Sequence, residues 1–180
     1  MAFRKKAEII LTLNPDILII PECEHPDRLK FNSNTPLPTD ILWFGDNKNK
    51  GLGIFSYSNF KFELLRNHNT ELKMIIPISV TGIDVKFTLY AIWAKAIHHY
   101  DKKLKNKQTI LVGDFNSNTI WDRKYRAGNH SNVVKYLEEK GILSCYHLHH
   151  NQIQGKEKHP TFYLYKHKDK PYHIDYCFAS

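Results

Sequence analysis

Three short apolar runs in this chain each deliver a carboxylate to a strand or its end, and this constrains the fold more than any other feature. Ile17-Leu18-Ile19-Ile20 is followed by Pro21 and Glu22. Ile110-Leu111-Val112 runs into Gly113-Asp114-Phe115-Asn116. Asp175 sits inside His173-Ile174-Asp175-Tyr176-Cys177-Phe178. Short continuous apolar runs read as buried strands. An acid beside such a run is costly unless it is paired or metal-bound. Carboxylates at strand ends converge when their strands are neighbours in a sheet. Acids together with Asn116 offer hard oxygen ligands, which suit Mg2+ or Mn2+ rather than Zn2+.

The remaining pattern supplies the frame. Apolar positions at Phe3, Ala7, Ile10 and Leu11 have helical spacing, and Asn14-Pro15 stops that helix over residues 2–13. Residues 24–40 read as a Pro-containing loop. Residues 41–44, 51–57 and 60–65 read as short strands, with a turn at 46–50. Residues 73–80 and 85–93 form a hairpin signal around Thr81-Gly82-Ile83-Asp84. Residues 94–104 have helical character. Ser131 is expected to cap a helix over 132–140 that ends at Gly141. Residues 142–146 read as a strand and 147–159 as a polar loop. Two closing strands, 161–165 and 174–179, flank a basic turn at 166–170. Strands outnumber helices, which predicts two sheets with helices outside rather than a simple alternating β-α-β chain.

At 180 residues the chain is expected to form one domain. Lys and Arg number 26 against 18 Asp and Glu, a formal charge of +8, which attracts polyanions such as nucleic acid or inositol phosphates. Cys23, Cys145 and Cys177 form no paired motif, so no disulfide framework is implied and a reducing, cytoplasmic setting is the default. No apolar run approaches the roughly 20 residues of a membrane span. Nothing in the sequence calls for an obligate protein partner.

The three motifs, in this order, resemble those of the endonuclease/exonuclease/phosphatase superfamily: residues 16–22, then Gly113-Asp114-Phe115-Asn116, then His173-Ile174-Asp175-Tyr176. The resemblance spans nearly the whole chain. It implies an α/β (α+β), four-layered, DNase I-like sandwich of two packed, mostly antiparallel sheets with flanking helices. It also implies a divalent-metal-dependent phosphodiester hydrolase, an endo- or exonuclease acting on nucleic acid. An inositol-phosphate-type phosphatase is the alternative, and a polyanion-binding remnant without turnover is a third reading. By the same resemblance Glu22 binds the metal, Asp114 orients or deprotonates the attacking water, and Asn116 positions that water and contacts the phosphate. By the same resemblance Asp175 orients a histidine of the family's later motif. Pro21 stands where the family usually has Gln. The family's first strand, ending in Asn, and its later Ser-Asp-His motif have no counterpart in residues 1–180. The chain as given is therefore expected to be catalytically crippled.

Other residues carry weaker signals. His159-Pro160-Thr161-Phe162 resembles a segment just before the last motif in bacterial members, and His159 is expected to line the site and contact substrate. Strand alternation would place Cys145, His147 and His149 on one face, which raises a Zn2+ reading against a solvated or phosphate-facing cluster. His98-His99 reads as a surface pair. The Lys166, Lys168 and Lys170 turn is either solvated or a phosphate contact. Trp43 and Trp93 read as core, and Trp121 is the candidate base-stacking residue.

Overall fold

A computed structural model describes residues 3–33, 35–66, 68, 75–93, 104, 108–123 and 128–180. The helical reading of 94–104 and the His98-His99 pair fall almost wholly outside the described residues. Eleven β-strands and three α-helices are present among those described, with several 3-10 turns. The chain divides into two compact units, Met1–Ala91 and Ile92–Ser180.

In the first unit a 3-10 turn at Phe3–Lys5 leads into α1 (Ala7–Leu11), shorter than the helix expected over 2–13. Phe3 and Ala7 are fully buried, while Ile9 and Leu13 face solvent, so the apolar stripe is genuine but only one helical turn long. Phe3 packs on Phe55 and Phe31, with ring centroids 5.2 and 5.7 Å apart. Strands β1 (Ile17–Cys23), β2 (Asp40–Asn47) and β3 (Lys50–Ser56) form an antiparallel sheet in the order β1-β3-β2. The central strand β3 is buried from Gly51 to Ser56. β1 lies at an edge of this sheet, where Pro21 can sit without stealing a ladder hydrogen bond. Next come β4 (Lys61–Leu64), β5 (Ile75–Thr81) and β6 (Lys86–Trp93). The expected turn between β5 and β6 is closed by the Gly82 N–H donating to the Val85 carbonyl, at 2.8 Å.

In the second unit β7 (Thr109–Asp114) and β8 (Leu143–Ser144) flank β11 (Asp175–Ala179), which pairs antiparallel with both. α2 (His130–Glu139) buries Val133, Val134 and Leu137 on its inner face. It ends as expected. Gly141 adopts φ +71°, its N–H donates to the Glu138 carbonyl, and the Ile142 N–H donates to the Leu137 carbonyl. This is a Schellman closure with the buried pair Ile142 and Leu137 packed beneath it.

The start of α2 differs from the sequence reading. Ser131 is a helical residue, not the cap. The Asp122 carboxylate reaches in instead, accepting from the His130 and Ser131 N–H groups at 2.7 and 2.9 Å and from the Ser131 hydroxyl. A carboxylate also suits the positive end of the helix dipole. Asp122→Ala should lower stability by about 1–2 kcal/mol, the usual worth of a cap, read as a drop in the urea midpoint with an unchanged slope.

One further expectation is corrected. The predicted strand 142–146 stops at Ser144, and α3 (Cys145–His150) begins there. The two closing segments have separate partners: β9 (Phe162–Tyr163) pairs with β10 (Pro171–Tyr172), and β11 pairs with β7. The basic turn at 166–170 therefore joins β9 to β10, and Tyr165 and Lys166 hold left-handed backbone there, with φ +54° and +60°.

Candidate active site

The register of β11 on β7 sets Asp175 directly opposite Asp114 at the end of the ladder. Tyr176 faces Gly113 in the same register. Two of the three acids singled out in the sequence are thus cross-strand neighbours, separated by the spacing of a sheet.

Gly113 is fixed by space and by backbone. Its φ is +137°, and a Cβ there would lie 2.0 Å from the Ile92 carbonyl oxygen. Phe115 is buried, packing its ring against Tyr176 and Phe178 with centroids 5.4 Å away in both cases. Its N–H donates to the Ile174 carbonyl at 2.9 Å. Asp114 Oδ1 accepts from the Asn116 N–H at 2.8 Å, an Asx turn that holds Asn116 at φ +48°. The same hydrogen bond that shapes the loop fixes the carboxylate.

Asp175 is held from the next segment. The Thr161 hydroxyl oxygen accepts from the Ile174 and Asp175 N–H groups, each at 3.1 Å. Burial pushes the Asp175 carboxyl up, against the Thr161 hydroxyl hydrogen bond and the nearby His173, which pull it down.

Behind this pair lies a polar network that the sequence did not announce. Asn118, almost fully buried, donates to the His173 carbonyl and the Tyr176 hydroxyl at 2.9 and 3.0 Å. Its amide nitrogen is also 3.2 Å from Glu157 Oε2. Glu157 Oε1 accepts from the Gly155 N–H at 2.9 Å and meets His147 Nε2 at 3.1 Å. Burial pushes the Glu157 carboxyl up, but Gly155, Asn118 and His147 outweigh it and leave it below its ordinary value. His130 bonds the Ser117 hydroxyl through Nδ1 at 2.8 Å, and burial pushes it down. Burial also pushes His147 down, despite Glu157.

These shifts give stability a sign in acid. A histidine whose folded value lies below its ordinary 6.5 takes up its proton more readily when unfolded. Stability therefore falls as pH drops from 6.5 toward the folded value. Glu157, lowered from 4.5, adds a second loss below that pH. Asp175, raised from 3.8, works the other way in a window just above that value. The melting temperature is expected to fall between about pH 7 and about pH 5, with a shallower slope in His130→Phe; equal slopes for the two proteins would contradict this.

His159 turns its ring toward α3: its Nδ1 meets the Tyr146 hydroxyl at 2.9 Å, and its carbonyl accepts from His173 Nδ1 at 2.8 Å. On helix α3, Cys145, His147 and His149 no longer share a face, because a two-residue step turns a helix by more than half a circle. Among the described residues no three His, Cys, Asp or Glu gather as a metal cluster.

Glu22 belongs to the first unit. It stands on a bulge where β1 slips register against β3 between Ile20 and Cys23, and its φ is +58°. Such a bulge re-aims a side chain. Lys50 Nζ is 2.7 Å from its carboxylate, and holds that carboxyl below the usual range. Trp43, read as core, is only partly buried and donates through its indole to the Cys23 carbonyl at 3.1 Å. Trp121 is 45% exposed, with its ring centroid 4.8 Å from that of Tyr172.

Comparison with solved structures identifies the fold. The endonuclease domain of TRAS1, a telomere-specific non-LTR retrotransposon, matches 98% of this chain and 77% of its own, with TM-score 0.62 and 15% identity. The AP endonuclease from Archaeoglobus fulgidus matches 99% and 82%, with TM-score 0.65 and 17% identity. The 3'-5' exonuclease NExo from Neisseria meningitidis matches 99% and 83%, with TM-score 0.59 and 16% identity. No family model matches the chain, and no curated protein is similar to it in sequence. The chain has the α/β, DNase I-like fold of the endonuclease/exonuclease/phosphatase proteins, as its three motifs led one to expect. No helix among the described residues is long and apolar enough to cross a membrane.

Proposed function

We propose that this chain is a divalent-metal-dependent phosphodiester hydrolase acting on nucleic acid. The observation that carries the reading is the cross-strand pair Asp114 and Asp175, closed by the Asx turn to Asn116. Its fold neighbours are, by name, an endonuclease domain, an exonuclease and an AP endonuclease, and the formal charge of +8 favours a polyanion.

Asp114 is the general base that takes the proton of the attacking water. It is held for this by the Asn116 N–H. The Asn116 side chain, carried on the left-handed turn beyond it, positions that water and contacts a phosphate oxygen. Asp175 is a positioning acid. Its backbone N–H is clamped by the Thr161 hydroxyl, directly across the ladder from Asp114.

The donor chemistry fits Mg2+ or Mn2+: carboxylates and an amide, all hard oxygen donors. A magnesium ion keeps several waters and needs only one or two protein carboxylates, so no closed cage is required. Glu22, on the first unit, is the carboxylate that the resemblance assigns to the metal, and Lys50 keeps it ionised. When bound, the ion would neutralise charge that develops on the phosphate oxygens.

Supercoiled plasmid, an abasic duplex and an inositol phosphate, incubated side by side with Mg2+ and with EDTA, test this reading. Metal-dependent cleavage of either DNA supports it. Release of phosphate from the inositol compound alone would move the substrate class to a phosphatase. Salt-sensitive DNA binding with no turnover of any substrate, indifferent to EDTA, would show a polyanion-binding remnant.

A further inference from the structure

The second unit holds a pocket of about 320 Å3 whose lining residues the proposed hydrolysis does not use. It is at the small end of ligand sites, which run to about 300–1,000 Å3, and suits one planar ring rather than a duplex. Its floor is polar. Asn118 and Glu157 form part of it, joined by their hydrogen bond. His173 also lines it, only 5% exposed, fixed through Nδ1 to the His159 carbonyl and with no hydrogen-bond partner for Nε2 among the described residues. Its walls include Tyr163 and Tyr172, and Trp121 backs Tyr172. Lys158 and Lys168 stand at its rim. A second depression of about 560 Å3 shares Tyr163 and Lys168 with the first and adds Lys166.

The pocket is tied to the acids by chain and by hydrogen bonds. Asn118 is two residues past Asn116, and His173 is two before Asp175. Asn118 donates to the His173 carbonyl, locking the two loops together. Pro160, another lining residue, precedes the Thr161 that clamps Asp175. The loops that line this pocket are thus the loops that carry Asn116 and Asp175.

We infer that this pocket accepts an unpaired nucleobase, stacked among Tyr163, Tyr172 and the Trp121-backed wall, while Lys158, Lys166 and Lys168 follow the adjoining phosphates. Aromatic rings take any base by its face, and lysines track the backbone without reading sequence. A paired base has both faces covered by its neighbours and has to leave the stack to enter, which costs unstacking and unpairing energy. The pocket thus selects single-stranded, frayed or gapped substrate over a blunt duplex. This inference rests on the nucleic-acid reading above and names the substrate class for the same site.

The test uses the full chain with Mg2+ and oligonucleotides carrying one 2-aminopurine, either single-stranded or in a blunt duplex. Binding of the single strand should quench 2-aminopurine fluorescence, and the single strand should be cleaved about tenfold faster than the duplex. Tyr172→Ala should reduce both effects. Lys158→Gln with Lys168→Gln, two exposed changes that leave the packing alone, should weaken single-strand binding and flatten its salt dependence. Quenching that is equal in wild type and Tyr172→Ala overturns the inference. So does equal cleavage of single strand and duplex, and that outcome leaves the hydrolase reading standing. Quenching lost in Tyr172→Ala, with no cleavage of any substrate, supports the pocket and overturns the hydrolase.

Discussion

Gly113→Ala should leave the chain largely unfolded at room temperature. Alanine pays for φ +137° in steric strain, since its Cβ would sit 2.0 Å from the Ile92 carbonyl oxygen. A backbone oxygen cannot rotate away as a flexible side chain can. β7 is paired with β11 in this stretch, so relief would have to come from breaking the ladder that carries Asp114 and Asp175. A loss of about 4 kcal/mol or more is expected, a large part of the stability of a domain this size. The urea midpoint measures it, and a midpoint within error of wild type would contradict the geometry.

Asp114→Asn should do the opposite: keep the fold and remove the chemistry. The amide oxygen can still accept from the Asn116 N–H, so the turn at φ +48° survives and the melting temperature should move little. An amide cannot take a proton from water. Cleavage of the nucleic-acid substrate should fall by about 10²–10⁴-fold, the usual worth of a general base. Turnover under Mg2+ measures it, alongside circular dichroism to confirm the fold. Retained turnover would remove Asp114 from the mechanism.

Much of this was legible because local chemistry and tertiary position agreed. The apolar run 110–112 is a strand, Gly113 is the residue its backbone requires, and Phe115 turns inward where an aromatic belongs. Gly141 closes α2 because the left-handed position after a helix favours glycine. The misses are all cases where a distant partner decided the matter. Ser131 has the composition of a cap, but Asp122, nine residues earlier, occupies the helix end. Alternation at 145–149 suggests a strand, yet Tyr146 packs on His173, His150 and His159, and a helix brings those rings together. The pairing of β9 with β10 depends on the returning turn at 166–170, which carries no strong hairpin dipeptide. Glu157 lay unnoticed in a polar loop. Only the fold sets it against Asn118 and His147. Pro21, which departs from the family pattern, is accommodated because β1 is an edge strand with a bulge at Glu22.

The central claim is that Asp114 and Asp175 form one functional unit across the β7–β11 ladder. Single-turnover cleavage of an end-labelled oligonucleotide by wild type, Asp114→Asn, Asp175→Asn and the double variant, each with Mg2+ and with EDTA, tests it most directly. Residues that act as a unit are non-additive, so the double variant should fall no further than the slower single variant, and EDTA should abolish the wild-type reaction. A double variant slowed by the product of the two single effects, or one that still cleaves at the wild-type rate, would contradict the account.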